Sequence, residues 1–207
     1  RRAMLMNAVY RAIMDTKQLV RFTKANASTY GIDKTKIALY GQGTGGYITV
    51  SYATLDKGAE IALPKFINPL TGTSIVDTNL VGSMNGEGPV GSLNLYVGNG
   101  ENADVQMVLN AGAALPDTSW LEAGDVPMVS FHCIKDPFGP FMHDYVVVPT
   151  TNGLVVEVQG AGLFMEKANK LGNNAAFYGK WNDPYSTRAR SLYGQSFDWL
   201  EDSTLTL

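Results

Sequence analysis

The chain has 207 residues, of which 45% are hydrophobic and 17% charged, with a formal net charge of -3 at neutral pH. That is enough chain for one domain with a sizeable core, and so mild a charge points to neither nucleic acid nor an anionic membrane. No apolar run approaches the roughly 18 residues of a membrane span, and the single cysteine, Cys133, excludes an internal disulfide and leaves the compartment undecided.

The opening Arg1-Arg2-Ala3 is not expected to be an initiator or a signal peptide, because no apolar stretch follows it. Ala3 to Tyr30 is predicted as one long helix. Val9, Ile13, Leu19, Val20 and Phe22 form its apolar face, and Lys17, Arg21 and Lys24 stay in water. Gly31 is placed to stop it in the left-handed region. A short apolar run, Ile37 to Tyr40, predicts a buried strand. It leads directly into Gly41-Gln42-Gly43-Thr44-Gly45-Gly46 and then into an apolar helical segment, Tyr47 to Leu55.

Residues 60–102 carry many glycines and prolines and are expected to form an irregular insertion over the C-terminal edge of the sheet. Within it, Met84-Asn85-Gly86-Glu87-Gly88 lacks the alternating Asp/Asn ligands of a calcium loop, so no metal site is assigned. Val105 to Asn110 predicts a second strand, followed by the small residues Ala111-Gly112-Ala113. Leu115 to Leu121 predicts a turn and a short helical piece, with Trp120 expected as a core aromatic. Val126 to Phe131 predicts a third strand, with His132 to Asp136 as the loop at its C-terminal end. Residues 145–149 and 154–158 predict a hairpin. Gly160 to Leu171 predicts a helix with Leu163, Ala168 and Leu171 inward, Ala175 to Tyr178 a fourth strand, and Arg188 to Leu200 a closing helix. Short strands alternating with helices argue an α/β domain with a mostly parallel sheet flanked by helices, spanning residues 1–207 as a single domain.

Three stretches carry a family resemblance. Lys36-Ile-Ala-Leu-Tyr-Gly-Gln-Gly-Thr-Gly-Gly-Tyr-Ile-Thr-Val50 has the strand, Gly-rich turn and helix of a nucleophile elbow. The helix before it, with its Tyr30-Gly-Ile-Asp33 exit, and the later Asp125-Val-Pro-Met-Val-Ser-Phe-His-Cys-Ile-Lys-Asp-Pro137 complete the pattern. Together they resemble the α/β-hydrolase superfamily, in particular bacterial carboxylesterases, lipases and acylaminoacyl-peptidases, over Ala8 to Leu200. In the resembled enzymes several strands and a Gly-rich oxyanion loop come before this point. The chain is therefore expected to be a partial α/β-hydrolase fold whose N-terminal strands lie elsewhere. The resemblance leans to a secreted or cell-surface location.

The resemblance implies a Ser, acid, His order of catalytic residues. In the Gly-x-Ser-x-Gly elbow the serine position is Gly43, which can form no acyl-enzyme. Asp136 takes the place of the acid in a loop resembling His-Gly-x-x-Asp, with Cys133 in place of its glycine. The alternative for Asp136 is a turn-forming role through side-chain to backbone hydrogen bonds. The histidine is expected between the fourth strand and the last helix, where Asn182 and Asp183 stand instead. Neither shuttles a proton near neutral pH as imidazole does. The two histidines of the chain, His132 and His143, come too early in the family order.

With two triad positions changed, the expected function is a catalytically inactive hydrolase-like domain. It would serve as a scaffold or binding module within a larger chain or assembly, with other protein segments or subunits completing the sheet. Gln42, Thr44, Trp120 and His132 are the candidate lining of a retained pocket for a small apolar ligand, with no cofactor. The alternative is an active esterase with rewired residues, using Thr44, or Cys133 with His132 or His143.

Overall fold

The computed structural model describes residues 2–84, 99–148, 150–177, 183–191 and 204–206. The chain forms two compact units. One comprises Arg1–Ile37 with Leu55–Gln106, the other Ala38–Thr54 with Met107–Leu207.

The first unit is helical. Helix α1, Arg2–Ala25, and helix α2, Ala27–Tyr30, replace the single helix predicted from the pattern. The break falls at Asn26, which leaves helical geometry at φ -104° and ψ 13°. Its side-chain amide donates to the Phe22 carbonyl, satisfying one of the acceptors that a helix end leaves open. Gly31 ends α2 at φ 66°, as its sequence position predicts.

The buried face of α1 is Tyr10, Ile13, Met14 and Val20, while Leu19 and Phe22 are exposed and Lys24 is buried. The apolar stripe is thus rotated from the predicted one. Lys24 is tolerated because its ammonium donates to Asn102. Among its described residues, the irregular segment holds two 3₁₀ turns, Gly58–Ala62 and Pro64–Phe66, and one short helix, α4, Thr78–Val81, while residues 85–98 lie outside the described residues. Asp77 caps α4 by accepting from the amides of Asn79 and Leu80.

The second unit holds the sheet. Strands β1 (Ala38–Gln42), β2 (Met107–Ala111) and β4 (Met128–Cys133) run parallel in the order β1-β2-β4. A short β7, Thr204–Thr206, adds antiparallel to β4. The sheet's covered face carries Val108, Asn110, Met128, Ser130 and His132, all buried. Helix α3, Thr44–Thr54, packs against β1 and β2, and helix α5, Ala161–Lys170, packs against β4.

The alternate positions are half-buried or exposed: Met107, Leu109 and Val129 are half-buried, and Tyr40 and Phe131 are exposed. Strand β1, predicted as buried, is therefore covered on one face only among the described residues. A second sheet, β3-β6-β5, is antiparallel and contains the predicted hairpin: β3 is Ala114–Leu115, β5 His143–Val147 and β6 Leu154–Gly160.

Three local readings change. His132 and Cys133 belong to β4 rather than to the loop after it. The inward residues of α5 are Ala161, Phe164, Met165 and Ala168, with Leu163 half-buried. Of the segment predicted as a fourth strand, Ala175–Phe177 forms a 3₁₀ turn, and Tyr178 lies outside the described residues. Just before that turn, Asn173 and Asn174 accept from the amides of Gly124 and Met128, and the chain then coils back with Ala175 N–H on the Gly172 carbonyl. The predicted closing helix is described as α6, Pro184–Ser191, and its remainder lies outside the described residues.

Candidate functional site

The C-terminal ends of the three parallel strands lie side by side, and the chain turns out of each at the same rim. Ligands of open α/β sheets gather at that end. Gly43 follows β1 at φ 54° and is the tip of a tight turn into α3. Its amide donates to the Ala111 carbonyl at 2.8 Å, and its own carbonyl accepts from the amides of Gly46 and Tyr47.

The flanking glycines are needed for close approach. A Cβ on Gly41 would stand 2.1 Å from the Gly45 carbonyl oxygen, and one on Gly46 would stand 2.8 Å from the Cβ of Ala113. At Gly43 itself a Cβ would meet nothing within 4 Å. The turn therefore presents its tip to open space in the left-handed region that favours glycine.

Asp136 follows β4. Its Oδ1 accepts from the amides of Phe138 at 2.8 Å and Gly139 at 2.9 Å, closing a tight turn. Its Oδ2 reaches so near Gly112 that a Cβ there would stand 3.0 Å away. Tyr47, on the first turn of α3, donates its hydroxyl to the Phe138 carbonyl at 3.2 Å. Burial raises its phenol pKa, and the Asp136 carboxylate raises it further, so the hydroxyl stays protonated as a donor.

His132 is fully buried on β4. Its Nε2 lies 2.8 Å from the Gly139 carbonyl oxygen, so the neutral ring donates its proton there. Asp136 Oδ2 is 3.7 Å from the same nitrogen. Nδ1 is buried with no hydrogen-bond partner among the described residues. Burial lowers the imidazole pKa, opposed by the Gly139 carbonyl and by the charge of Asp136.

The structure thus gathers Gly43, Asp136 and His132 at one rim, joined through Tyr47, Gly112 and Gly139. Gln42 and Thr44, beside the tip, are both exposed. Trp120 closes a 3₁₀ turn, Thr118–Trp120, and is buried at 4% exposure, as a core aromatic. Asp183 is exposed just before α6, and Asn182 lies outside the described residues. His143 is exposed in β5, 3.8 Å from Glu157. Cys133 is half-buried, and strand alternation sends its side chain to the face opposite His132.

Sequence reasoning missed Tyr47 and Gly139. Tyr47 stands four residues after the tip, one helical turn along α3, and that spacing was the available signal. Among the described residues no group of three or more His, Cys, Asp or Glu side chains could hold a metal ion, and no helix is long and apolar enough to cross a membrane.

A parallel sheet flanked by helices, with a glycine-tight strand-to-helix turn at its C-terminal rim, defines an α/β-hydrolase-like domain. The BD-FAE family model matches residues 2–143, and the chain belongs to that family, within the esterase-like α/β-hydrolase superfamily. The matched span takes in both the elbow and the Asp136 loop. The curated proteins and the solved structures give no match to the chain.

Proposed function

We propose that this chain is a catalytically inactive BD-FAE-type hydrolase domain that works as a binding or interaction module within a larger chain or assembly. The observation that carries this reading is Gly43: the elbow keeps its shape, at φ 54° with open space before it, and bears no nucleophile. Acyl transfer by this fold needs a nucleophile, a base within hydrogen-bond reach and an orienting acid. Thr44 opens α3 beside the tip, and His132 spends its one N–H on Gly139. The interaction half of the reading is supported by β1. Among the described residues no strand pairs with its free side, and Tyr40 stands 64% exposed. Parallel strands are ordinarily covered on both faces, and an apolar edge invites a partner.

The second reading, an active enzyme with rewired residues, would use Thr44, or Cys133 with His132 or His143, although Cys133 and His132 face opposite sides of β4. A fluorophosphonate probe and a short-chain nitrophenyl ester separate the two. The expected result is no labelling and no turnover above buffer. Labelling or turnover that is lost in Thr44→Ala or Cys133→Ala would overturn the inactive reading.

A further inference from the structure

Residues 136–142 are tied down at several points. Asp136 accepts from the amides of Phe138 and Gly139, Tyr47 donates to the Phe138 carbonyl, and the Gly139 carbonyl takes the His132 proton. Further along, the amides of Gly160 and Gly162 donate to the carbonyls of Met142 and Phe141. A Cβ on Gly160 would stand 1.8 Å from the Pro140 carbonyl oxygen, so the backbones touch. Among the side chains that make these ties, His132 alone is fully buried and titrates near neutrality.

We propose that His132 is the positioning residue of the Asp136 loop and its pH-sensitive latch: the neutral ring holds Gly139, and with it Asp136, at the rim of the sheet, and protonation lets the loop go. The inference concerns the loop itself and does not depend on whether the elbow binds a ligand. A protonated ring carries an N–H on both nitrogens. Nε2 has Gly139 and, at 3.7 Å, Asp136, but Nδ1 has no acceptor among the described residues, and the Phe141 ring packs against the imidazole in a T-shaped contact at 5.6 Å between centroids. Opening the loop hydrates that second N–H.

Among the described residues the charges around the ring are few. Asp136 is the near one, and it favours the imidazolium. Lys135 in the same loop is exposed. Strand β4 adds only the Cys133 thiol, and β2 and β7 carry no charged residue. On α5, Glu166 and Lys170 pair with each other and Lys167 donates to the Thr118 carbonyl. Tyr47 stays neutral. Since the folded state prefers the neutral imidazole, the latch is fully set above the unfolded pKa, about 6.5. It weakens as pH falls from there toward the lowered folded value.

The test is amide hydrogen exchange of the full chain, read by NMR at Phe138, Gly139, Gly160 and Gly162 as protection relative to the unfolded chain. Between about pH 7.5 and about pH 5, protection is expected to fall by roughly ten-fold. In His132→Gln, whose amide still reaches toward Gly139 but does not titrate, the change is expected to stay within about two-fold. No fall in the wild type, or an equal fall in His132→Gln, overturns the proposal. If that variant does not fold, Asp136→Asn decides. It keeps the turn's acceptor but removes the charge that favours the imidazolium, so its acid-induced loss of protection must exceed that of the wild type. An unchanged or smaller loss overturns the latch.

Discussion

The amide of Gly43 donates to the carbonyl of Ala111 at 2.8 Å, one residue past the end of β1, so the β1–β2 ladder runs on into the turn. On the other side the Gly43 carbonyl accepts from Gly46 and Tyr47, which makes the same residue the start of α3. Held from both directions, it has no freedom to leave φ 54°. Substitution by Ser or Ala therefore adds a Cβ in a backbone region that disfavours it, while the side chain itself clashes with nothing. Both Gly43→Ser and Gly43→Ala are expected to cost about 1–2 kcal/mol, read as a lower urea midpoint with unchanged slope. A higher midpoint for Gly43→Ser would show that the tip is not strained for a side chain.

Gly41 and Gly45, the two glycines that bracket the tip, should behave oppositely. At Gly41 an added Cβ would lie 2.1 Å from the Gly45 carbonyl and 2.2 Å from Thr49 Oγ1. The first of these is backbone and cannot swing aside. Gly41→Ala is expected to destabilise by more than about 3 kcal/mol or to prevent folding, since strand and helix must separate. At Gly45, within α3, a Cβ would meet nothing within 4 Å. Gly45→Ala is expected to be neutral or to stabilise by up to about 1 kcal/mol, because alanine gives up less conformational freedom in a helix. Thermal unfolding of the two variants side by side checks this, and equal losses would mean that strand-to-helix contact is not what selects glycine at position 41.

Much of the frame was readable because it rests on local rules. The Gly-rich run between an apolar strand and an apolar helix has the local pattern of the elbow, and the resemblance of 132–136 to the family's His-Gly-x-x-Asp loop points to Asp136. What failed did so where tertiary contacts overrode pattern. Lys24 reads as a solvent residue by type, yet Asn102, far along the chain, supplies its partner. Phe164 and Met165 displaced Leu163 and Leu171 as the inward residues of α5, because the helix turns toward β4 and its phase is set there. Ala175 to Phe177 has strand-like composition, but Asn173 and Asn174 fasten the preceding residues to Glu122, Gly124 and Met128 and leave a tight turn. The role of His132 was legible only in part. Its sequence position is too early for the triad histidine, but the carbonyl that takes its proton lies seven residues on, inside a turn that Asp136 makes.

That turn gives a way to tell a structural carboxylate from a catalytic one. Asp136→Ala removes the acceptor of two backbone amides, of which the Gly139 amide belongs to a buried residue. It is expected to cost about 1–3 kcal/mol of stability. Asp136→Asn keeps an Oδ1 in the same place and is expected to cost less than about 1 kcal/mol. A structural role therefore predicts two well-separated urea midpoints, with Asn close to wild type. An orienting acid in a working triad predicts a different pattern. Asn fails to hold a histidine in its catalytic tautomer, so Ala and Asn would both remove ester turnover. Stability that separates the two variants, in a chain with no turnover to lose, assigns Asp136 to the loop. Turnover present in the wild type and absent from both variants would return it to catalysis and bring the inactive reading down with it.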